Sequence, residues 1–145
     1  MIDMGSYVTT VYEDYSIQCA DGVVDRIGNE AFYAWLYPGF MINRYGPVMD
    51  TNFVIPISHD KMLVVYDWYF EEGCTPEFIQ SSIAASDKIQ LEDIMISENV
   101  QRGLSSPAYN VGLYAPKVEP GELHFHRLLH KDYTTGEATP INLSW

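Results

Sequence analysis

The stretch CTPEFIQSSIAASDKIQLEDIMISENVQRGL, residues 74–104, predicts one long helix. Thr75 can cap its start, Pro76 fits the first helical position, and Glu77 suits the positive end of the helix dipole. At about 100° per residue, four apolar side chains fall within a sector of roughly 80°. We therefore expect this sector to face the protein core; its members are Ile89, Ile96, Val100 and Leu104.

Asp93 lies inside that apolar sector. An isolated buried carboxylate is unfavourable by several kcal/mol, so Asp93 requires a cation, a proton or strong hydrogen-bond donors. The simpler interpretation is a paired acid within the core, with Arg44 or a histidine as its partner. The alternative is a metal ligand or catalytic acid, because desolvated carboxylates on rigid elements serve sites with oxygen and nitrogen ligands. Spacing alone leaves both open, whereas Glu92 and Glu98 lie off the sector and are expected to be solvated.

Composition and charge narrow the classes of protein to which the chain can belong. With 145 residues, of which 47% are hydrophobic, it suits one globular domain with a buried core. The 20 acidic against 8 basic residues give a net charge of −12, which disfavours nucleic acid and anionic membranes as partners. Cys19 and Cys74 form no CxxC pattern, so neither a disulfide framework nor a cysteine-ligated metal is expected, and a reducing compartment fits best.

The first half of the chain is typical of strands, because β-branched and aromatic residues crowd short runs bounded by glycine, proline, asparagine and aspartate. The runs YPGF, YGPVMD and SHDK are typical of tight turns between antiparallel neighbours. The predicted strands are residues 7–18, 31–37, 40–45, 51–57 and 62–70. Residues 19–30 and 132–145 resemble linkers, and a second helix is expected over residues 120–132. The expected class is α+β, an antiparallel sheet followed by helices that pack on one face.

The run ELHFHRLLHKD, residues 122–132, contains His124, His126 and His130. The last two are one helical turn apart and could bind one metal ion. The glutamate of the HExxH zinc motif is missing, however, and the apolar residues between the histidines indicate an amphipathic packing helix. We therefore predict a structural role for these histidines, and the same for His59 in its predicted turn.

Aromatic residues are abundant, with 11 tyrosines, 6 phenylalanines and 3 tryptophans. Aromatic faces can hold a quaternary ammonium group by cation–π attraction, at about 0.5–2 kcal/mol for each contact. Strand-rich domains also use aromatic residues for packing, so composition alone favours a packing role first.

Three runs carry a resemblance to a known family: YPGFMINRYGPVMDTNFVIPI, ASDKIQLEDIMISENVQRGLSSPAYNVGLYAP and ELHFHRLLH. Within the second run, the pattern of ED, then E, then VQRGL and SPAY is specific to a subgroup of that family. From about Tyr7 to His130, the chain resembles the catalytic domain of choline monooxygenase-like enzymes. These belong to the Rieske-type ring-hydroxylating oxygenase large subunits.

The resemblance implies a helix-grip fold, in which an antiparallel sheet wraps around a helix. Residues 1–132 would form part of the catalytic domain, which would be incomplete, and residues 133–145 an irregular tail. The family holds one non-haem Fe(II) through two histidines and an aspartate, and the aspartate corresponds to Asp93. Electrons reach this iron from a Rieske [2Fe–2S] cluster. The implied reaction hydroxylates a methyl group of choline to give betaine aldehyde hydrate, in glycine betaine synthesis.

The resemblance also shows what the chain lacks. In the family, the Rieske domain and the two iron-binding histidines precede the position of Tyr7, so by this resemblance the chain would supply one iron ligand and no cluster ligand. We therefore expect the chain alone to be inactive. An iron-free helix-grip remnant that binds a ligand or partner is the alternative function.

The implied partners of the complete protein are a quaternary amine as substrate, a ferredoxin as electron donor, and further copies of the same chain. Choline, carnitine and other quaternary amines all remain open as substrates. A soluble protein is expected, in the chloroplast stroma if the source is a plant and in the cytoplasm otherwise.

Overall fold

The computed structural model describes residues 7–24, 28–115 and 117–136. The chain divides into two compact units. One comprises Met1–Tyr69 and Tyr114–Trp145 and contains a sheet with one helix; the other, Phe70–Leu113, contains the long helix.

Six strands form one open sheet in which each strand neighbours the next one along the chain. From the first to the fifth strand, neighbouring strands pair antiparallel. The predicted meander is therefore confirmed. The strands are β1 (Tyr7–Val11), β2 (Tyr15–Val24), β3 (Gly28–Leu36), β4 (Phe40–Tyr45), β5 (Val48–Ser58) and β6 (Lys61–Phe70).

One strand prediction and one linker prediction are wrong. Residues 7–18 are not one strand, because the Tyr12 N–H donates to the Tyr15 carbonyl at 2.9 Å and the chain reverses between β1 and β2. Residues 19–30, predicted as a linker, are mostly strand, since β2 and β3 extend into them; residues 25–27 lie outside the described part. Pairing with a neighbouring strand outweighs the weak strand propensity of the Asp and Gly residues in this stretch.

One sheet face contains most of the buried side chains. Directly paired residues share a face, and residues two apart along a strand do the same. The buried residues on this face are Ser16, Ala20, Ala31, Val48, Asp50 and Asn52. We call it the polar sheet face, because half of these side chains are polar.

The second helix, α2 (Pro120–Thr135), packs on the polar sheet face. Its start lies close to β2, since a Cβ at Gly121 would be 3.5 Å from Ser16 Oγ. Farther along, Phe125 meets the Trp35 ring edge-on, with centroids 5.4 Å apart, and Leu128 is buried. The prediction of a helix from Pro120 is confirmed, but it continues beyond Asp132 to Thr135 and ends at the left-handed Gly136. Residues 137–145 of the predicted tail lie outside the described residues.

A part-buried hydrogen bond ties the end of α2 to the turn between β3 and β4. The Tyr37 hydroxyl donates to Asp132 Oδ2 at 2.5 Å, across 95 positions of sequence. Tyr37 is only 8% exposed. Burial, followed by the hydrogen bond to Asp132, raises the pKa of Tyr37 to about 12, so the phenol stays protonated as the donor.

The long helix, α1 (Pro76–Leu104), begins and ends where the sequence predicts. The Thr75 side chain caps it by accepting from the Phe78 N–H at 3.2 Å. Neither α1 nor α2, as far as the structure describes them, has the length and hydropathy needed to cross a membrane.

The expectation that the apolar sector of α1 is buried is wrong. No residue of α1 is buried, and Ile96, Val100 and Leu104 are each about half exposed. The physical reason is that α1 is the only helix or strand of the described residues lying wholly in its unit, so within that unit no second layer covers its stripe. The buried hydrophobic core of the described residues is correspondingly small, and centres on Ala20 and Ala31.

Replacing Tyr37 with phenylalanine tests how α2 is held. Tyr37→Phe removes the hydroxyl and leaves the Asp132 carboxylate without this donor, so we expect a loss of about 1–3 kcal/mol in the free energy of unfolding. Urea titration followed by circular dichroism measures it. The matched control is Tyr133→Phe, because Tyr133 is 82% exposed on the same helix. Equal effects of the two changes would show that the Tyr37–Asp132 bond contributes nothing.

The raised pKa of Tyr37 also predicts a pH dependence of stability. Because the folded-state pKa lies above the ordinary 10.0, the contribution is complete below pH 10 and is lost as the pH rises through about 12. The stability advantage of the wild type over Tyr37→Phe should therefore shrink across this window. Urea titrations at a series of pH values measure it, and an advantage that stays constant would contradict the assignment.

Candidate functional site

Asp93 lies on the last three turns of α1, with its side chain exposed. Among the described residues, no hydrogen bond or ion pair involves Asp93, so the predicted pairing with Arg44 or a histidine is not found. Its exposure removes the need for a partner, since water solvates the carboxylate. Asp93 is therefore an accessible carboxylate on a rigid helix.

The neighbouring acids on α1 are exposed, as predicted. Glu92 faces solvent, and Glu98 lies 3.9 Å from Arg102 one turn along the helix. Both members of that pair are about two-thirds exposed, so the pair adds little to stability. Arg102 also donates to the Asn99 side chain. These contacts join residues near the end of the helix, and none of them involves Asp93.

The four histidines do not converge. His126 Nδ1 meets the Tyr114 hydroxyl, and both His126 and His130 are exposed on the outer side of α2, as predicted. His59 is exposed in the turn between β5 and β6, 3.9 Å from Asp60. His124 packs edge-on against Trp35 at 6.4 Å between ring centroids, and its Nε2 is buried with no hydrogen-bond partner among the described residues.

The iron site of the family needs three protein ligands. In the parts of the chain that the structure describes, no three His, Cys, Asp or Glu side chains come together as a group that could hold a metal ion. Asp93 offers one suitable oxygen ligand, which is too few for tight binding of Fe(II). The described residues of this chain therefore do not fit a mononuclear iron on their own.

Sequence reasoning missed a polar network at the centre of the sheet. The Asp50 carboxylate accepts from Asn43 Nδ2 at 2.8 Å and from Asn52 Nδ2 at 2.6 Å through one oxygen, and from the Tyr45 hydroxyl at 2.8 Å through the other. Asn43 also donates to the Asn52 side-chain oxygen at 3.1 Å. We call these four residues the Asp50 network.

A signal for this network was present in the sequence. In NRY (residues 43–45) and DTN (residues 50–52), the first and third residues are Asn43 and Tyr45, and Asp50 and Asn52. Residues two apart on a strand share a face, so pairing of the two strands places these four side chains on one face. Besides Tyr45, the same face presents the half-buried aromatic rings of Tyr7, Tyr33 and Trp35. Tyr7 and Tyr33 lie 6.5 Å apart between ring centroids.

Comparison with known proteins places this chain in context. The family described as ring hydroxylating alpha subunit (catalytic domain) matches residues 2–134. The chain is 48% identical over 138 residues to the chloroplastic choline monooxygenase of Arabidopsis thaliana, covering 89% of this chain and 32% of that protein. It is 40% identical over 139 residues to the chloroplastic choline monooxygenase of Beta vulgaris, covering 90% of this chain and 31% of that protein. The chain thus spans about a third of the length of these relatives.

The fold has a counterpart among solved structures. The quaternary ammonium Rieske monooxygenase CntA, in complex with an inhibitor, matches with a TM-score of 0.75. The match covers 90% of this chain and 39% of that chain at 23% identity, so it bears on the fold alone. The six-stranded antiparallel sheet with two helices is therefore the α+β fold of a Rieske oxygenase catalytic domain, as the sequence predicted.

The family match over nearly the whole chain, the identity to several choline monooxygenases and the shared fold agree with one another. The chain belongs to the catalytic-domain family of the ring-hydroxylating alpha subunits, the Rieske-type non-haem iron oxygenases.

Proposed function

We propose that this chain is the catalytic-domain portion of a monooxygenase that hydroxylates a methyl group of choline to give betaine aldehyde hydrate. The observation that carries the proposal is the 48% identity over 138 residues to a choline monooxygenase. Four further choline monooxygenases match at 38–40% identity, which supports choline over other quaternary amines. All five relatives are chloroplastic, and we place this protein in the same organelle.

Asp93 is proposed as the carboxylate ligand of the mononuclear iron. Its exposure on a rigid helix and its lack of a described partner leave both oxygens available. Because the described residues form no complete ligand set, the two histidine ligands would come from elsewhere in the complete protein, as would the ligands of the Rieske cluster. In the complete protein the iron would activate O₂, with electrons from a ferredoxin through the Rieske cluster, and the chains would assemble as a homo-oligomer.

An iron-free binding module is the second candidate function. The observation in its favour is the absence of any three-ligand metal group among the described residues. The sheet would then bind a small ligand or a partner protein without catalysing a reaction. The two candidates differ in whether the chain can serve an intact iron enzyme.

A chimera distinguishes them. Residues 2–134 of this chain would replace the matching segment of the Arabidopsis choline monooxygenase. The purified chimera is loaded with Fe(II) and supplied with ferredoxin, its reductase and either choline or carnitine, and betaine aldehyde is measured. Iron-dependent turnover of choline is expected. A folded chimera that holds no mononuclear iron would favour the binding module, and turnover of carnitine alone would overturn the choice of substrate.

Replacing Asp93 in this chimera tests the ligand assignment. Asp93→Ala should remove mononuclear iron and hydroxylation together, because one of three protein ligands is lost, while the Rieske spectrum stays intact. Iron content by mass spectrometry and the visible spectrum report the two sites separately. Glu92→Ala is the matched control, since Glu92 is an equally exposed neighbour on α1. Normal mononuclear iron in the Asp93 variant would refute the assignment.

The histidines of α2 are expected to play no part in metal binding. Replacing His124 and His130 together with glutamine should change the free energy of unfolding by no more than about 1 kcal/mol, because neither side chain has a described hydrogen bond. Urea titration measures this, and equilibrium dialysis against zinc measures metal binding. Tight stoichiometric zinc binding by the wild type that the double variant loses would revive a metal site on α2.

A further inference from the structure

We propose that the Asp50 network, defined above as Asn43, Tyr45, Asp50 and Asn52, gives this chain its preference for a cationic ligand over a neutral one of the same shape. The inference rests on the proposed function, because it assigns the recognition of a quaternary amine to particular residues.

The network holds a carboxylate in place without neutralising it. Asp50 is 4% exposed and Asn52 is 6% exposed, so the carboxylate lies largely out of water. All of its hydrogen-bond donors are neutral: two amides and one phenol. Neutral donors stabilise an ionised carboxylate by hydrogen bonding, yet the net charge of the group remains negative.

No cation of the described residues cancels this charge. Among the described residues, Asp50 takes part in no ion pair with a lysine, arginine or histidine. Buried charges in proteins are usually paired. An unpaired one attracts a cation more strongly than a surface charge does, because water screens it less.

The aromatic rings beside the network also attract cations, as the Asp50 carboxylate does. Tyr33 lies directly across from Asn43, which in turn lies across from Asp50. Adjacent strands are about 4.8 Å apart, so the Tyr33 and Asp50 positions are roughly 10 Å apart on one face. Tyr33, Trp35 and Tyr45 are half-buried. Their ring faces attract cations, most strongly those with methyl groups that also bury apolar surface.

A purely structural role explains the network less well. Replacing a buried polar network with apolar side chains is often neutral or stabilising, so stability alone gives no reason for a carboxylate at this position. The His124 Nε2 atom provides a second, independent observation. It is buried against the same face, beside Trp35, with no described hydrogen-bond partner, and a hydroxyl or carboxylate of a bound ligand would satisfy it.

The test compares two ligands of one shape on the purified chain of residues 1–145. One is choline, and the other is the neutral alcohol in which carbon replaces the choline nitrogen. Dissociation constants are measured by calorimetry for the wild type, for Asp50→Asn and for the control Asp67→Asn, which changes an exposed carboxylate of β6. Asp50→Asn should weaken choline binding about tenfold and leave the neutral alcohol unchanged, because only the charge contact is lost. Asp67→Asn should change neither.

A charge exchange keeps the test decisive if Asp50→Asn does not fold. The double variant Asn43→Asp with Asp50→Asn retains the same side-chain types on the same paired positions and moves the charge by one strand. Recovery of the choline preference in this variant supports the inference. A wild type that binds both ligands equally, or neither, overturns it, and so does an equal loss of both ligands in a folded variant. The chimera assay tests the proposed function separately. If the chimera turns over choline but Asp50→Asn still prefers choline to the neutral alcohol, this inference is refuted and the proposed function stands.

Discussion

Alternation of side chains along the paired strands is the constraint on which the rest of the structure depends. Because residues 31–36 and 40–45 pair in continuous register with each other and with the strands on either side, the direction of one side chain fixes that of its neighbours across the sheet. The polar sheet face follows from this register. A shift by one residue would move Asp50 and Asn52 to the opposite face and separate them from the Asn43 and Tyr45 side chains.

The helix on that face is positioned by a few contacts of different kinds. Trp35 and Phe125 provide edge-on ring packing, Gly121 allows a close approach to β2, and Tyr37 donates to Asp132 at the far end. The rings bury apolar area without direction, whereas the hydrogen bond sets an angle and a distance. Together they hold α2 on the same face of the sheet as Asp50, where the proposed ligand would bind.

The carboxylates Asp93 and Asp50 show how the environment, more than residue type, sets what an acid can do. Asp93 is exposed and has no described partner, which suits a ligand to a metal whose other ligands come from elsewhere. Asp50 is buried among three neutral donors, which suits attraction at a distance. The proposed oxygenase would use both properties, one for iron and one for the charge of its substrate.

Local signals in the sequence determined the helix start at Thr75, the strand-turn-strand order and the class of the protein. Capping, turn chemistry and a family-specific pattern act over a few residues, so they can be recognised without a fold. The burial of Asp93 could not be predicted in this way, because a helical stripe shows which residues share a side but not whether another layer covers them. For the Asp50 network, the polar alternation of residues 43–45 and 50–52 indicated a shared face, but it could not show which side chains meet. Its four residues form two alternating pairs on separate strands, and only the register of β4 against β5 brought the Asp50 carboxylate within reach of its donors.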